Sequence, residues 1–133
     1  MTGKKQAPNG PEYRLFVTAR YKDIEQEYRT GVVLQTVREF ASFRYELGIE
    51  EEMADHSIRY RVTGLKAPQL NFPGSGPAFF HREYRNLRGK YKISIEGLDR
   101  NRNEFEFEIG EKQVLLLESP SHSFIEVSTK DQE

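Results

Sequence analysis

The chain has 133 residues, and its 20 basic and 21 acidic side chains leave a net charge of −1. A duplex-binding protein usually carries a clear positive excess, so this balance argues against double-stranded nucleic acid as a partner. Cysteine is absent, which excludes disulfides, thiolate metal sites and cysteine catalysis.

This length fits one domain. Residues 1–12 and 128–133 lack apolar periodicity, so we expect flexible tails around a single globular domain at residues 13–127. The first residues contain no apolar signal segment, and no apolar run approaches the roughly 18 residues that span a bilayer. The sequence therefore predicts a cytoplasmic protein without a membrane partner.

The first predicted element is a hairpin. Apolar and polar residues alternate from Tyr13 to Tyr21, with Phe16 as the exception, which indicates a strand. A polar turn at residues 22–25 leads to a second apolar run at residues 26–34. Two such runs across a short polar turn favour an antiparallel pair.

Residues 36–47 form the one stretch with a helical apolar period. Thr36 and Glu39 fit a reciprocal capping box, and Gly48 followed by Ile49 fits a left-handed helix stop. The apolar face of this predicted helix would contain Val37, Phe40, Ala41, Arg44 and Leu47. Alternation between Ala41 and Ile49 fits a strand almost as well, but the caps favour the helix.

After the helix, the sequence predicts an acidic loop and a further strand. Glu50, Glu51, Glu52 and Asp55 indicate a solvated loop, and the alternation from Ile58 to Gly64 indicates a strand. Residues 66–78 hold three prolines and two glycines, which predicts an irregular surface loop. Residues 79–86 fit either a strand or a short helix.

The order of hairpin, capped helix and strand over residues 13–64 resembles the opening of the β-grasp, or ubiquitin-like, fold. Its local signature is the helix ending Glu46-Leu47-Gly48-Ile49. The resemblance implies a curved sheet packed on one helix. Ubiquitin-like modifiers and sulfur carriers end in Gly-Gly, whereas this chain ends Ser-Thr-Lys-Asp-Gln-Glu. A conjugated modifier or a sulfur-transfer role would therefore require processing of this end.

The last third of the chain predicts another hairpin. One apolar face carries Tyr91, Ile93 and Ile95, and a second, after a turn at residues 99–102, carries Phe105, Phe107 and Ile109. Pairing Ile93 with Phe107 would set Lys92 opposite Glu108, which is favourable, and Glu96 opposite Glu104, which is not. Residues 114–117 predict a strand covered on both faces, and residues 124–127 predict a last edge strand.

These elements together predict an α+β domain. We expect a mostly antiparallel sheet of roughly six to eight strands, curled around one helix at residues 36–47. If that segment extends instead, the alternative is an all-β sandwich.

No catalytic residue, cofactor or metal site is predicted. His56, His81 and His122 are too distant in sequence to share a metal locally, and residues 99–103 begin like a calcium loop but lack its glycine and closing glutamate. Residues 73–77 lack the lysine of a phosphate loop and the spacing of a nucleophile elbow.

The most suggestive functional feature lies in residues 81–92, where five cations surround one carboxylate. We name the basic strip as the predicted interaction surface: Arg82, Tyr84, Arg85, Arg88, Lys90, Tyr91 and Lys92. Alternating cations and tyrosines suit either a protein surface or single-stranded nucleic acid. The acidic loop and the stripe of Glu104, Glu106 and Glu108 are available to compensate these cations.

The sequence therefore predicts a non-enzymatic protein-interaction or accessory module that acts through the basic strip. A homo-oligomer would follow if the strip met the glutamate stripe of a second copy. Single-stranded nucleic-acid binding through the same strip is the alternative. A small-ligand carrier or small enzyme is the second alternative and requires a cavity that converges on His81 or His122.

Overall fold

The computed structural model describes residues 10–41, 44–67 and 74–130. Its elements, within these residues, are strands: β1 Tyr13–Lys22, β2 Glu27–Phe40, β3 Glu46–Ala54, β4 Ser57–Lys66, β5 Gly76–Tyr84, β6 Gly89–Glu96, β7 Arg102–Ile109, β8 Val114–Glu118 and β9 Ile125–Ser128. They form one curled, mixed sheet in the order β9-β1-β2-β5-β3-β4-β6-β7-β8. Three neighbouring pairs are parallel, namely β9 with β1, β5 with β3 and β4 with β6.

The predicted helix at residues 36–47 is wrong, and with it the α+β class and the β-grasp architecture, because the described residues contain no helix. β2 continues to Phe40, which pairs with Gly76 of β5. Thr36, predicted as a cap, instead accepts a hydrogen bond from the backbone N–H of Ala78 at 2.9 Å. Residues 42 and 43 of the predicted helix lie outside the described residues.

The sheet explains why residues 36–40 form a strand rather than the start of a helix. β2 lies between β1 and β5 and forms backbone ladders with both, whereas a 12-residue helix is marginal in water without a face to pack on. The competing strand alternation over residues 41–49 is met only from Glu46 onward, where β3 begins, because residues 41, 44 and 45 lie between the two strands and residues 42 and 43 lie outside the described residues. The fold is all-β, as the sandwich alternative expected, but the strands belong to one sheet rather than two.

The predicted acidic loop is also wrong, because Glu50, Glu51 and Glu52 lie within β3. The turn that follows is only two residues long, and His56 adopts a left-handed φ of 56° there. A register shift after Gly48 places Glu51 directly opposite Tyr60 of β4. One of the three glutamates therefore faces the core side of the sheet, a position that the charge run did not predict.

The predicted pairing of β6 with β7 is off by two residues. Ile93 pairs with Phe105, which sets Lys92 opposite Glu106 and Glu96 opposite Arg102. This register keeps both apolar faces inward and removes the predicted glutamate clash. A tight turn supports it, because the Gly97 backbone N–H donates to the carbonyl of Asn101 at 2.9 Å.

The two edge strands differ from each other. β9 is the predicted last edge strand, and it pairs in parallel with the start of β1. The prediction that residues 114–117 are covered on both faces is wrong, since β8 is outermost and leaves Leu115, Leu116 and Leu117 between 40% and 48% exposed. Only Val114 of that run is buried.

The core lies on the concave side of the sheet. Side chains from every strand contribute to it, and the largest fully buried ones are Tyr60, Phe105, Phe107, Leu15 and Leu34. Burying each such side chain contributes about 1.5–3 kcal/mol. The ends of this concave side, where strands begin or stop, are the places where apolar surface reaches solvent.

Candidate binding site

The basic strip does not form one continuous surface. Tyr84 is 8% exposed and points into the core, while Arg82 beside it is half exposed. Tyr91 is partly buried against the ring of His56, with centroids 4.8 Å apart. The structure therefore brings Arg82 and Tyr84 together and separates them from the rest of the strip.

Arg82 and Tyr84 belong to a hydrogen-bonded cluster between β3 and β5. These two strands share one backbone pair in the described residues, Glu46 with Phe79. Beyond it, Glu51 accepts from the Tyr84 hydroxyl at 2.5 Å and pairs with Arg82 at 2.7 Å. We call Glu51, Tyr60, Arg82 and Tyr84 the seam network, because their side chains join the two strands where the backbone ladder stops.

The direction of the hydrogen bonds in the seam network follows from its chemistry. The Tyr84 hydroxyl has one proton and uses it to donate a hydrogen bond to the Glu51 carboxylate. The Tyr60 hydroxyl must therefore be the donor in its 2.6 Å hydrogen bond with the Tyr84 oxygen. Burial raises the pKa of Tyr60 and that of Tyr84 above the ordinary value of 10. Both hydroxyls stay neutral donors, and the network therefore acts as a structural brace.

The remaining cations of the strip mostly face carboxylates. Arg85 pairs with Glu27 at 3.0 Å, Lys90 lies opposite Glu108, and Lys92 lies opposite Glu106. Arg88 donates to the carbonyl of Leu87 at 2.7 Å. This arrangement favours compensation of the strip within the molecule, and a protein or nucleic-acid contact through it stays a prediction.

The three histidines lie apart from one another. His56 occupies the β3–β4 turn, and His122 precedes β9, where its carbonyl accepts from Asn103 at 3.0 Å. His81 lies on β5 and borders a cavity of about 370 Å³ between β3 and β5. No cluster of three or more His, Asp or Glu side chains suited to a metal occurs in the described part of the chain.

A larger apolar cavity opens where β2 and β4 end and where β1 and β3 begin. Its volume is about 520 Å³. We call it the apolar mouth, and its lining residues are Pro11, Glu12, Tyr13, Thr36, Val37, Arg38, Phe40, Leu47, Val62, Gly64, Leu65 and Leu98. Tyr13, Leu47 and Val62 are buried, whereas Leu65 and Leu98 are 48% and 65% exposed. Apolar surface therefore runs from the core out to solvent at this end.

Few polar groups line the apolar mouth. The Thr36 hydroxyl donates to the carbonyl of Arg38 at 2.7 Å, besides accepting from Ala78. The Arg38 guanidinium lies 5.0 Å from the centre of the Phe40 ring, in cation–π contact. Burial, with smaller effects of Glu12 and Asp99, raises the pKa of Tyr13, so its hydroxyl stays protonated.

Sequence reasoning missed this site. Val37, Phe40 and Leu47 were assigned to one helix face, although in the structure they belong to two different strands. The informative signal was Leu98, an apolar residue in the Gly-Leu-Asp turn after β6, where polar residues are usual. A lone exposed leucine is common on protein surfaces, so the cavity becomes recognisable only once the fold brings its walls together.

Comparisons with models of protein families, with curated proteins and with solved structures found no match to this chain. They neither confirm nor contradict the ubiquitin-like resemblance. Within the described residues, no helix has the length and apolar character needed to cross a membrane. The functional argument therefore rests on the residues of the site.

Proposed function

We propose that the protein is a non-enzymatic binding module whose binding site is the apolar mouth. The observation that carries this proposal is the continuity between the buried floor, Leu47 and Val62, and the exposed rim, Leu65 and Leu98. The volume of about 520 Å³ lies in the usual range for ligand sites, and so does the apolar lining with a few polar groups.

The side chains of the mouth support binding rather than chemistry. Thr36 is the one serine or threonine in the described lining, and both hydrogen bonds of its hydroxyl are with backbone groups. Among the described residues that line the mouth there is no histidine to activate it. Hydrolysis through a covalent intermediate requires a nucleophile that is hydrogen-bonded to a base. The described lining contains no such pair.

A pair of rim substitutions tests the proposal. Leu65→Glu with Leu98→Glu places two negative charges at the entrance, and we expect it to abolish the fluorescence enhancement of an anionic apolar dye such as anilinonaphthalene sulfonate. Both side chains are largely exposed, so we expect far-UV circular dichroism and thermal stability to change little.

The matched control is Leu115→Glu with Leu117→Glu on β8, where the leucines are exposed to a similar degree. This variant is expected to keep the dye signal. Loss of the signal in the β8 variant, together with its retention in the rim variant, would place dye binding at the sheet edge and overturn the proposal.

A further inference from the structure

We propose that the apolar mouth takes an anionic amphiphile, a long apolar chain that ends in a carboxylate. This inference rests on the binding function proposed above and adds the chemical class of the ligand. The apolar floor accounts for the chain. Two donors near the entrance, the Arg38 guanidinium and the Tyr13 hydroxyl, account for the carboxylate.

Arg38 lies in the wall of the apolar mouth, next to the pairing of β1 with β2. Tyr13 pairs with Thr36, and the Val37 N–H donates to the carbonyl of Glu12 at 3.0 Å. The register of β2 with β5 shifts between Gln35 and Glu39, so the position of Arg38 is taken from its place in the lining of the mouth rather than from alternation. The contact between Arg38 and the Phe40 ring agrees with this assignment.

Arg38 also lacks an ion pair with any carboxylate in the described ranges, in contrast to Arg14, Arg29 and Arg82. A guanidinium that lies against an aromatic ring at the edge of an apolar cavity keeps its donors available for a ligand. A carboxylate suits these donors, since guanidinium groups bind carboxylates with two parallel hydrogen bonds.

Tyr13 supplies the second donor. It is 6% exposed and lines the mouth, and its hydroxyl makes no hydrogen bond to any described residue. The hydroxyl oxygen is not sealed off from solvent, since the buried side-chain polar atom without a partner among the described residues is Ser94 Oγ, so the Tyr13 hydroxyl is open to a ligand in the mouth. Asp99 lies near enough to influence Tyr13, but its oxygens accept from the backbone and side chain of Asn101.

Glu12 is the one acidic residue of the described lining, and its charge reaches Tyr13, whose pKa it helps to raise. Within the described residues Glu12 forms no ion pair with Arg38, so the guanidinium keeps its donors for an anionic head. Glu12 is the group that would instead favour a cationic head, and the probes below distinguish the two.

Three probes with the same tail and different heads test the inference: dodecanoate, dodecanol and dodecyltrimethylammonium, each below its aggregation concentration. Their affinities for the full chain would be measured by calorimetry and by dye displacement. We expect dodecanoate to bind about tenfold or more tightly than dodecanol, because hydrogen bonds to a charged group contribute more than neutral ones. The cationic probe is expected to bind most weakly.

Substitutions assign the head group to its partners. Arg38→Gln is expected to weaken dodecanoate about tenfold and to leave dodecanol unchanged. Tyr13→Phe, which keeps the ring in place, is expected to weaken dodecanoate several-fold. The control is Arg88→Gln, an exposed arginine at the β5–β6 turn, which should change neither affinity.

The outcomes separate this inference from the proposed function. Equal binding of the three probes, with loss in the rim variant, would overturn the anionic class and keep the apolar mouth as the binding site. Tighter binding of the cationic probe would overturn it in favour of Glu12 as the recognition group. Failure of every probe to bind or to displace the dye would contradict both proposals.

Discussion

At the scale of single residues, the seam network shows how polar side chains replace a missing ladder. Glu51 lies on the core side of β3, where an unpaired carboxylate is costly. The Glu51 carboxylate pairs with Arg82 and accepts a hydrogen bond from the Tyr84 hydroxyl. The Tyr84 oxygen in turn accepts a hydrogen bond from Tyr60. The cluster is therefore sensitive to the loss of any one member.

Tyr84→Phe is expected to lower the free energy of unfolding by about 1–3 kcal/mol. The substitution keeps the ring but removes the donor to Glu51 and the acceptor for Tyr60. Urea unfolding followed by circular dichroism measures the change. Tyr91→Phe is the matched control, because its hydroxyl makes no hydrogen bond to a described residue. An equal, small effect of both variants would contradict the bracing role.

At the scale of elements, the β6–β7 hairpin shows what the sequence determined. The alternation of Ile93 and Ile95 against Phe105 and Phe107 predicted both strands and the face that each buries. The register was wrong by two residues, because a shift of two keeps the same faces inward and only the turn and the charges distinguish the choices. The observed turn is closed by hydrogen bonds of Asp99 and Asn101.

The register predicts a charge coupling between Lys92 and Glu106. Lys92→Glu sets two glutamates opposite each other and is expected to cost about 0.2–1 kcal/mol of unfolding free energy. Adding Glu106→Lys restores opposite charges and should recover most of the loss. A double-mutant cycle by urea unfolding gives the coupling. A cycle with no coupling energy for this pair, but with one between Lys92 and Glu108, would support the register first predicted from the sequence.

At the scale of the whole molecule, the sequence predicted strands but not their neighbours. β2 follows β1 in both sequence and sheet, and this hairpin was predicted correctly. The helix at residues 36–47 was predicted from local caps, while β5, some forty residues further along, provides the partner that makes this segment a strand. Local patterns contain no information on such distant pairing. The apolar mouth is built from four strands and a turn, so it could not be predicted from the sequence for the same reason.

The core and the sheet edge differ in their expected response to truncation. Phe105→Ala removes a side chain that is 1% exposed and is expected to cost about 3–5 kcal/mol of unfolding free energy. Leu115→Ala on β8 is expected to change stability by less than about 0.5 kcal/mol, because Leu115 is 48% exposed. Thermal and urea unfolding of both variants measure the contrast. Comparable losses would indicate that β8 is covered in solution, for example by another copy.

The pairing of β9 with β1 has a consequence for the time course of folding. Ile125 pairs with Tyr13, so β1 is synthesised long before β9, the strand that completes its outer edge. Ladders between such distant segments form slowly, on the millisecond-to-second scale of proteins dominated by non-local contacts. During synthesis, the start of β1 remains an open template for unwanted strand pairing until β9 has emerged and paired with it.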